Sequence, residues 1–297
     1  MDAISRLLRM ARLGASLDER CLLGGATRMN VAAAPELEAA FHVLLDGECQ
    51  MQFGSTVLDL RAGDVVLIPS GVPHRVITPG QGRPQGTVDI PGNAFVTKRS
   101  EGEPVIDLFC GHYSYDAGAG AVLFRSLPSP VHVSFGQSEV LPMLSALMRG
   151  EARREGDGTA AIMAALCTVL LAMVLRSSPA TAALWTAPSD PRIATTIEGV
   201  LADPGADWSI DRLSRAAVMS RATFLRHFGQ QTGMTVGAFL ARARVMAAAD
   251  LLHTSDSTVA TIAAQVGYQS ESAFSRAFRA EVGTTPARFR RDQQLRH

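Results

Sequence analysis

SRATFLRHF, the stretch from Ser220 to Phe228, returns fifty residues later as SESAFSRAF, from Ser270 to Phe278. Serine, phenylalanine, arginine and phenylalanine recur in register between the two stretches. Each stretch then runs on into a glycine and a threonine: Gly233 and Thr235, Gly283 and Thr285. Because an internal repeat fixes an architecture before single motifs are weighed, the last hundred residues are predicted to contain one structural unit twice.

Each copy predicts two helices joined by a tight turn. Ser209 and Ser220 are the predicted N-caps in the first copy, and Thr258 and Ser270 in the second, where the turn is one residue longer. Phenylalanines spaced i,i+4 bury one face of each second helix and leave the other face polar. This pattern is typical of a helix-turn-helix, whose second helix enters the DNA major groove. The alternative is a small helical bundle without a nucleic-acid role.

Residues 192–291 resemble the double helix-turn-helix domain of AraC/XylS-type transcription regulators. The resemblance rests on IAAQVGYQSESAFSRAF, from Ile262 to Phe278, and on a second group of matches: Gly283, Thr285, Pro286, Phe289 and Arg290. It implies two recognition helices in successive major grooves, about 34 Å apart on one DNA face. The helix from Val236 to Leu252 would set their separation.

The resemblance also implies the partners and the contacts. The partners would be double-stranded promoter DNA, RNA polymerase and a second copy of the chain in a homodimer. Arg226 and Arg276 are the best candidates for guanine edges. The residues expected to meet DNA are Ser220, Arg221, Ala222, Thr223 and Arg226 in the first copy, and Ser270, Glu271, Ser272, Ser275 and Arg276 in the second.

Composition indicates an ordinary globular protein of about two domains, with 297 residues, 47% of them hydrophobic and 19% charged. The net charge is zero, but Arg192 to His297 holds 13 arginines against 9 acidic residues, a charge of +4 that suits contacts with phosphates. Charged residues interrupt the N-terminus, which predicts no secretion signal. The apolar run from Ala160 to Leu175 is shorter than the ~20 residues of a membrane span. We therefore expect a cytoplasmic protein with a buried or dimer-forming helix there.

Between about Arg28 and Val133 short strand-like runs alternate with Gly and Pro, which predicts a small β-barrel or jelly roll. The runs are 41–45, 49–53, 56–60, 64–68, 74–77 and 105–110. The segment from Gly63 to His74 resembles the second motif of the cupin fold, with His74 pointing into the barrel. The other metal-ligand positions of cupins hold Ala33, Pro35 and Ala40, so a cupin enzyme activity is not expected.

Four groups stand out as a possible sensor: Cys21, His42, His74 and Cys110. The strand alternation turns His42 inward, and Cys21 is predicted on an arm that covers the barrel mouth. Two cysteines and two histidines are a legitimate zinc set. The alternatives are a metal-free redox pair of Cys21 and Cys110, or four unrelated buried residues.

A second resemblance covers nearly the whole chain. MDAISRLL at the N-terminus, Cys21 with Leu23 and Gly24, and Cys110 with Gly111 look like the branch of the AraC/XylS family that responds to reactive chlorine. The resemblance implies that Cys21 and Cys110 are the redox-sensing residues. Cys49 and Cys167 are expected to be core residues.

The sequence thus predicts a two-domain α+β transcription regulator. Residues 1–135 would form an N-terminal arm and a cupin-like sensor barrel, 136–187 a helical dimerisation segment, and 188–297 an all-α tandem helix-turn-helix domain. We expect no enzyme activity, since the sequence shows no phosphate loop, nucleophile elbow or catalytic carboxylate pair. The alternatives are a small organic effector in the barrel and a metal-dependent cupin enzyme fused to a DNA-binding module.

Overall fold

The computed structural model describes residues 2–81, 86–135, 140–177 and 190–295, without the side chains of residues 140 and 141. The chain forms two compact units. The strand unit consists of Gly14–Ser114 and Pro128–Val174, and the helical unit of Met1–Leu13, Tyr115–Leu127 and Leu175–His297.

Two sheets form the strand unit. Strands are labelled in chain order: β1 Gly14–Leu23, β2 Arg28–Val31, β3 Glu38–Asp46, β4 Glu48–Phe53, β5 Thr56–Arg61, β6 Asp64–Ile68, β7 His74–Ile77, β8 Val88–Pro91, β9 Val96–Arg99, β10 Ile106–Ser114 and β11 Val131–Ser134. The larger sheet has the order β11-β6-β3-β10-β1-β9-β8, and the smaller sheet β2-β7-β4-β5. All pairings are antiparallel except the parallel pair of β1 and β9.

Side-chain alternation builds the core of the strand unit. In β4 the buried residues Cys49 and Met51 alternate with exposed Glu48 and Gln50, as expected for a strand with one face on a core. One cluster of buried residues draws on both sheets and is rich in sulfur, since it contains Cys21, Met29, Cys49, Met51 and Cys110. The inward faces of the sheets therefore bring the sensor candidates into one apolar interior.

The six strand-like runs predicted from the sequence correspond to β3, β4, β5, β6, β7 and β10, and this confirms them. The predicted arm at Cys21 is wrong, because Cys21 lies in β1 between β10 and β9. Three successive charged residues, Asp18 to Arg20, hide this strand in the sequence. Arg20 can lie on the sheet because its guanidinium donates two hydrogen bonds, of 3.0 and 2.8 Å, to the Asp107 carboxylate on β10.

Helices are also labelled in chain order: α1 Ala3–Met10, α2 Ala119–Ser126, α3 Val140–Arg153, α4 Thr159–Ser177, α5 Pro191–Ala202, α6 Ile210–Ala216, α7 Arg221–Thr232, α8 Val236–Thr254, α9 Val259–Gln265, α10 Glu271–Val282 and α11 Pro286–Gln294. In the described part of the chain, α4 alone is long and apolar enough to cross a membrane by length and composition. In its most apolar window 44% of the residues are buried inside the protein.

The helical unit includes two segments from the N-terminal half of the sequence. In α1 the side chains of Leu7 and Met10 are buried, and in α2 every residue from Ala119 to Phe124 is buried. The start of α2 lies against α8, since a β-carbon at Gly118 would come within 2.6 Å of the Ala249 side chain. These contacts place residues 1–13 and 115–127 with the helical unit, a different division from the domain boundaries predicted at 135 and 187.

Candidate functional sites

Both helix-turn-helix copies form as predicted, with each N-cap in place. Ser209 accepts from the Arg212 amide, Ser220 from Thr223, Thr258 from Thr261 and Ser270 from Ala273. The first copy pairs α6 with α7, and the second pairs α9 with α10. The capping hydroxyls satisfy backbone N–H groups that a helix start leaves without partners.

The two turns differ by the one residue that the sequence predicts. In the first turn the Met219 amide donates to the Ser214 carbonyl, and in the second the Tyr268 amide donates to the Ala263 carbonyl, each at 2.9 Å. The residue before each donor has a left-handed backbone, with φ of 53° at Val218 and 86° at Gly267. Gln269 is the additional residue, and it follows this shared geometry.

Aromatic packing extends the repeat beyond the two helices of each copy. The rings of Phe228 and Phe239 lie 5.5 Å apart at 69°, and those of Phe278 and Phe289 have the same distance and angle. Phe239 and Phe289 are again fifty residues apart, so α8 and α11 occupy equivalent places behind the two pairs. The helix from Val236 to Leu252 was predicted from the sequence, but its equivalence to α11 was missed, although the fifty-residue register already contained the signal.

The predicted DNA-contacting residues lie on the outer faces of α7 and α10. Exposed members are Ser220, Arg221, Ala222, Arg226, Ser270, Glu271, Ser272 and Arg276, while Thr223 and Ser275 are half-buried. On the opposite faces Phe224, Phe228, Phe274 and Phe278 are at most 1% exposed. Each second helix therefore has an apolar side fixed in the core and a polar side available to a ligand.

Cys21 and Cys110 lie side by side within the strand unit. Their Sγ atoms are 3.7 Å apart, and the Cys21 Sγ is also 3.7 Å from the Met29 Sδ. Both cysteines are buried, and they lie diagonally across the register in which Glu19 faces Cys110 on the paired strands β1 and β10. A disulfide between them requires the sulfur atoms to approach by about 1.7 Å.

Both histidines of the predicted set continue this contact. His42 presents Nδ1 to the Cys110 Sγ at 3.1 Å and Nε2 to the His74 Nε2 at 2.7 Å. The Nδ1 atom of His74 lies 3.0 Å from the Val72 carbonyl oxygen, and the Phe53 ring stacks on the imidazole. The four sensor candidates thus form one hydrogen-bonded chain from Cys21 to His74.

Burial favours the uncharged forms of His42, His74 and Cys110. It lowers the pKa of His42 to about 3, with a further contribution from His74. Burial also lowers the pKa of His74, against the opposing effect of the Val72 carbonyl. The hydrogen bond with Cys21, and then burial, raise the pKa of the Cys110 thiol well above its ordinary value. Cys110 is therefore held as a thiol, and His42 and His74 as uncharged imidazoles.

Comparison with known proteins covers both units. A family described as "Cupin" matches residues 2–180, and one described as "Helix-turn-helix domain" matches residues 213–292. An HTH-type transcriptional regulator of Haemophilus influenzae is 30% identical over 99% of this chain and 100% of its own length.

The chain belongs to the AraC family of transcription regulators with an N-terminal cupin domain.

Two further relatives of this AraC-family regulator are similar over nearly its full length. The HTH-type transcriptional regulator MtrA of Neisseria gonorrhoeae is 28% identical and covers 98% of this chain and 99% of its own. The RCS-specific HTH-type transcriptional activator RclR of Escherichia coli is also 28% identical, over 98% of this chain and 97% of its own. The regulator is thus a DNA-binding transcription factor, as its repeat predicts.

Some arginines of the helical unit donate hydrogen bonds to backbone carbonyls of the same unit. Arg244 donates to the Pro204 and Ala206 carbonyls, and Arg290 donates to the Leu252 and Ser257 carbonyls. Arg221 lies 3.6 Å from the Asp211 carboxylate, but its side chain is 63% exposed, and such surface pairs are weak. Fewer arginines are therefore available to contact phosphates than the helical unit contains.

The predicted four-ligand zinc site is not tetrahedral as placed. Ligand atoms around one zinc ion lie about 3.3–3.8 Å from one another. The Cys21 and Cys110 sulfurs match this spacing, but His42 uses one ring nitrogen on Cys110 and the other on His74. A single site with all four ligands would therefore require the His42 ring to turn.

Glu19 is a neighbour of the thiols that the sequence analysis missed. Among the described residues, the ligand atoms of Glu19, Cys21 and Cys110 all lie within 4.8 Å of one another. The same carboxylate lies 3.2 Å from the Lys98 ammonium on β9. Glu19 precedes Cys21 by two residues, which places both on the same side of β1. Because β1 was not predicted, this spacing could not be interpreted.

Proposed function

We propose that this AraC-family regulator senses an oxidant through the Cys21 and Cys110 thiols and changes its DNA binding in response. The observation that carries the proposal is the 3.7 Å distance between two buried sulfur atoms on paired strands. The E. coli relative named as RCS-specific supports the same class of signal. Oxidation would join the thiols in a disulfide and pull β1 towards β10.

Chain connectivity gives that change a route to the helical unit. Gly14 of β1 and Ser114 of β10 are paired in the sheet. The residues immediately before Gly14 and immediately after Ser114 belong to the helical unit, which contains the two DNA-reading helices. A shift between the strands would therefore act on two segments covalently continuous with that unit, and a dimer would be biased towards one arrangement on its promoter.

The test uses purified full-length protein treated with stoichiometric hypochlorite. We expect the loss of two thiols, a Cys21–Cys110 disulfide in peptide mass spectra, and altered footprinting on a duplex selected from a random pool. Cys21→Ser should bind DNA normally and lose the response. Cys49→Ala, which removes another buried thiol of the same core, should keep it. A response that survives Cys21→Ser would refute thiol sensing, and elemental analysis of the same sample would reveal zinc.

A second candidate is a small organic effector. A cavity of about 540 Å³ is lined in part by His74, and Asn30, Gln52 and Arg75 are among its other lining residues. That volume is in the range of small-molecule sites. A thermal-shift screen of metabolites separates this candidate from oxidant sensing, because an effector would stabilise the Cys21→Ser variant as well as the wild type. Turnover by the purified protein with added metals would instead favour the cupin enzyme.

A further inference from the structure

Three sulfur atoms from both sheets meet in the interior of the strand unit. Cys21 on β1 and Cys110 on β10 belong to the larger sheet, and Met29 on β2 belongs to the smaller one. The Cys21 Sγ lies 3.7 Å from each of the other two sulfur atoms. All three residues are buried, with at most 6% of each exposed. The thioether of one sheet therefore lies over the thiols of the other.

We propose that Cys21, Cys110 and Met29 form a binding site for a soft monovalent metal ion, copper(I). Thiolate and thioether sulfur are soft ligands that copper(I) prefers, whereas zinc sites in proteins take thiolate, imidazole and carboxylate ligands. The two thiol protons leave as the ion binds, and the ion enters already reduced, so no electron is transferred. The proposal goes beyond oxidant sensing and adds a second signal that the same two thiols can receive.

The spacing of the sulfur atoms suits one ion between them. With metal–sulfur bonds of about 2.3 Å, three sulfur atoms around one ion lie about 4.0 Å from one another. The two distances of 3.7 Å are close to this value, and the three rotatable bonds of a methionine side chain let its sulfur adjust. Metal binding therefore requires a smaller movement of the sulfur atoms than a disulfide does.

The other groups near the thiols suit a soft ion less well. The Glu19 carboxylate lies within 4.8 Å of both thiol sulfurs, but it is a hard oxygen ligand and lies 3.2 Å from the Lys98 ammonium. His42 presents one ring nitrogen to Cys110 and the other to His74. The three-sulfur site is therefore a different ligand set from the four residues of the predicted zinc site.

An ion can approach the sulfur atoms along β2. Val31, two residues after Met29 in this strand, lines the cavity of about 540 Å³. The same valine packs against the buried cluster that contains Cys21, Met29 and Cys110. We therefore expect copper(I) to enter through this cavity.

The test adds copper(I) to the reduced, metal-free full-length protein without oxygen, in competition with the chelator bathocuproine disulfonate. We expect one copper(I) ion per chain and, in X-ray absorption spectra, a shell of three sulfur atoms around it. Copper that stays with the chelator, or a shell made mainly of nitrogen and oxygen, would overturn the proposal. This measurement needs no variant.

Met29→Leu removes the thioether and keeps an apolar side chain of similar volume. We expect its copper(I) affinity to fall by at least about tenfold and its zinc affinity to be unchanged, because a thioether is a ligand for copper(I) and not for zinc. Met51→Leu is the matched control. Met51 is buried in the same core but lies across Val76 from Met29, two strands away, and the variant should bind copper(I) like the wild type.

The copper site and oxidant sensing fail separately. Equal copper(I) affinities of Met29→Leu and wild type would overturn the three-sulfur site, even where hypochlorite forms the Cys21–Cys110 disulfide in metal-free protein. Copper(I) held by three sulfur atoms in a protein that forms no disulfide would support the site and end oxidant sensing. Metal-free Met29→Leu retains both thiols, so it should form the disulfide as the wild type does.

Discussion

Val218 adopts a left-handed backbone conformation in the turn where the second copy has Gly267. A β-branched side chain is strained there, by about 1–3 kcal/mol. The side chain is 83% exposed, so packing offers it little compensation. Gly267 is in a different situation, since a β-carbon there would come within 2.9 Å of the Arg244 side chain and the Gly205 carbonyl. The same turn is therefore strained in one copy and tightly enclosed in the other.

Val218→Gly should stabilise the helical unit. Relief of strain, less the ~0.5–1 kcal/mol that a flexible glycine costs through the unfolded chain, leaves a gain of about 1 kcal/mol. Urea unfolding followed by Trp208 fluorescence measures it. Gly267→Ala is the opposite change and should destabilise the unit. A Val218→Gly protein no more stable than wild type would show that this turn is unstrained.

Asp116 makes the stability of the helical unit depend on pH. Burial raises the pKa of its carboxyl from 3.8 to about 6. The hydrogen bond from the Gly120 amide and the positive charge of the nearby Arg12 oppose this rise. A raised pKa in the folded state stabilises the fold below the unfolded pKa, and that contribution is lost as the pH rises through about 6. The free energy of unfolding lost over this pH range is roughly 3 kcal/mol.

Asp116→Asn should remove this dependence. Its amide oxygen can still accept from the Gly120 amide, so the variant should be more stable than wild type at pH 8 and similar to it near pH 4. Urea unfolding at a series of pH values gives the difference. Asp211→Asn, at a side chain 67% exposed, is the control and should keep the wild-type slope. Parallel curves for Asp116→Asn and wild type would exclude Asp116 as the source.

At the level of elements, α7 and α10 present different chemistry from the same frame. Arg226 and Arg276 are in register, but Arg221 of the first helix corresponds to Glu271 of the second. An arginine that contacts a guanine edge discriminates against other bases, whereas an arginine on a phosphate contributes to all sequences alike. The predicted base contacts can therefore be separated from general attraction by sequence preference.

Arg276→Ala should weaken binding to a selected duplex by about 1–3 kcal/mol and relax the preference at one base pair. Fluorescence anisotropy with the selected duplex and its single-base variants measures both effects. Arg288→Ala is the matched control, because this side chain on α11 is 67% exposed and lies outside the two recognition helices. It should leave the preference unchanged. Unaltered affinity and preference in Arg276→Ala would remove Arg276 from the DNA-reading face.

The elements that the sequence predicts well are those with an undisturbed period. The capped helices and the strands Asp64–Ile68 and His74–Ile77 have their predicted bounds or nearly so. β1 was missed because its charged residues are neutralised by partners distant in sequence, such as Asp107 for Arg20. The inward placement of His42 followed from alternation, but its hydrogen bonds depend on the register of three strands. No local pattern contains that register.

At the scale of the whole molecule, the strand unit exposes apolar side chains on α3 and α4. Met143 and Leu147 are 61% and 55% exposed on α3, and Ile162 and Val169 are 45% and 48% exposed on α4. Exposed apolar faces of this kind mark interaction surfaces. We therefore expect a second copy of the chain to cover some of these side chains, since symmetric homodimers are the commonest oligomers.

Val169→Arg should therefore convert a dimer to a monomer, because an arginine on this face would be buried without a partner. Sedimentation velocity over a range of concentrations measures the change. Val57→Arg provides the control. This valine on β5 is 47% exposed, and the substitution makes the same chemical change at another place on the surface. It should sediment like the wild type. Identical sedimentation of Val169→Arg and wild type would place the subunit contact on another face.

The unequal copies also give the bound protein a front and a back. With Arg221 and Glu271 as the predicted contacts of the two copies, a chain turned end for end on the same base pairs is not expected to make the same contacts. The sequence bound by one chain is consequently expected to be asymmetric and to have a direction. Inverting the sequence bound by one chain within a promoter should thus reverse which helix-turn-helix copy faces the start of the transcript.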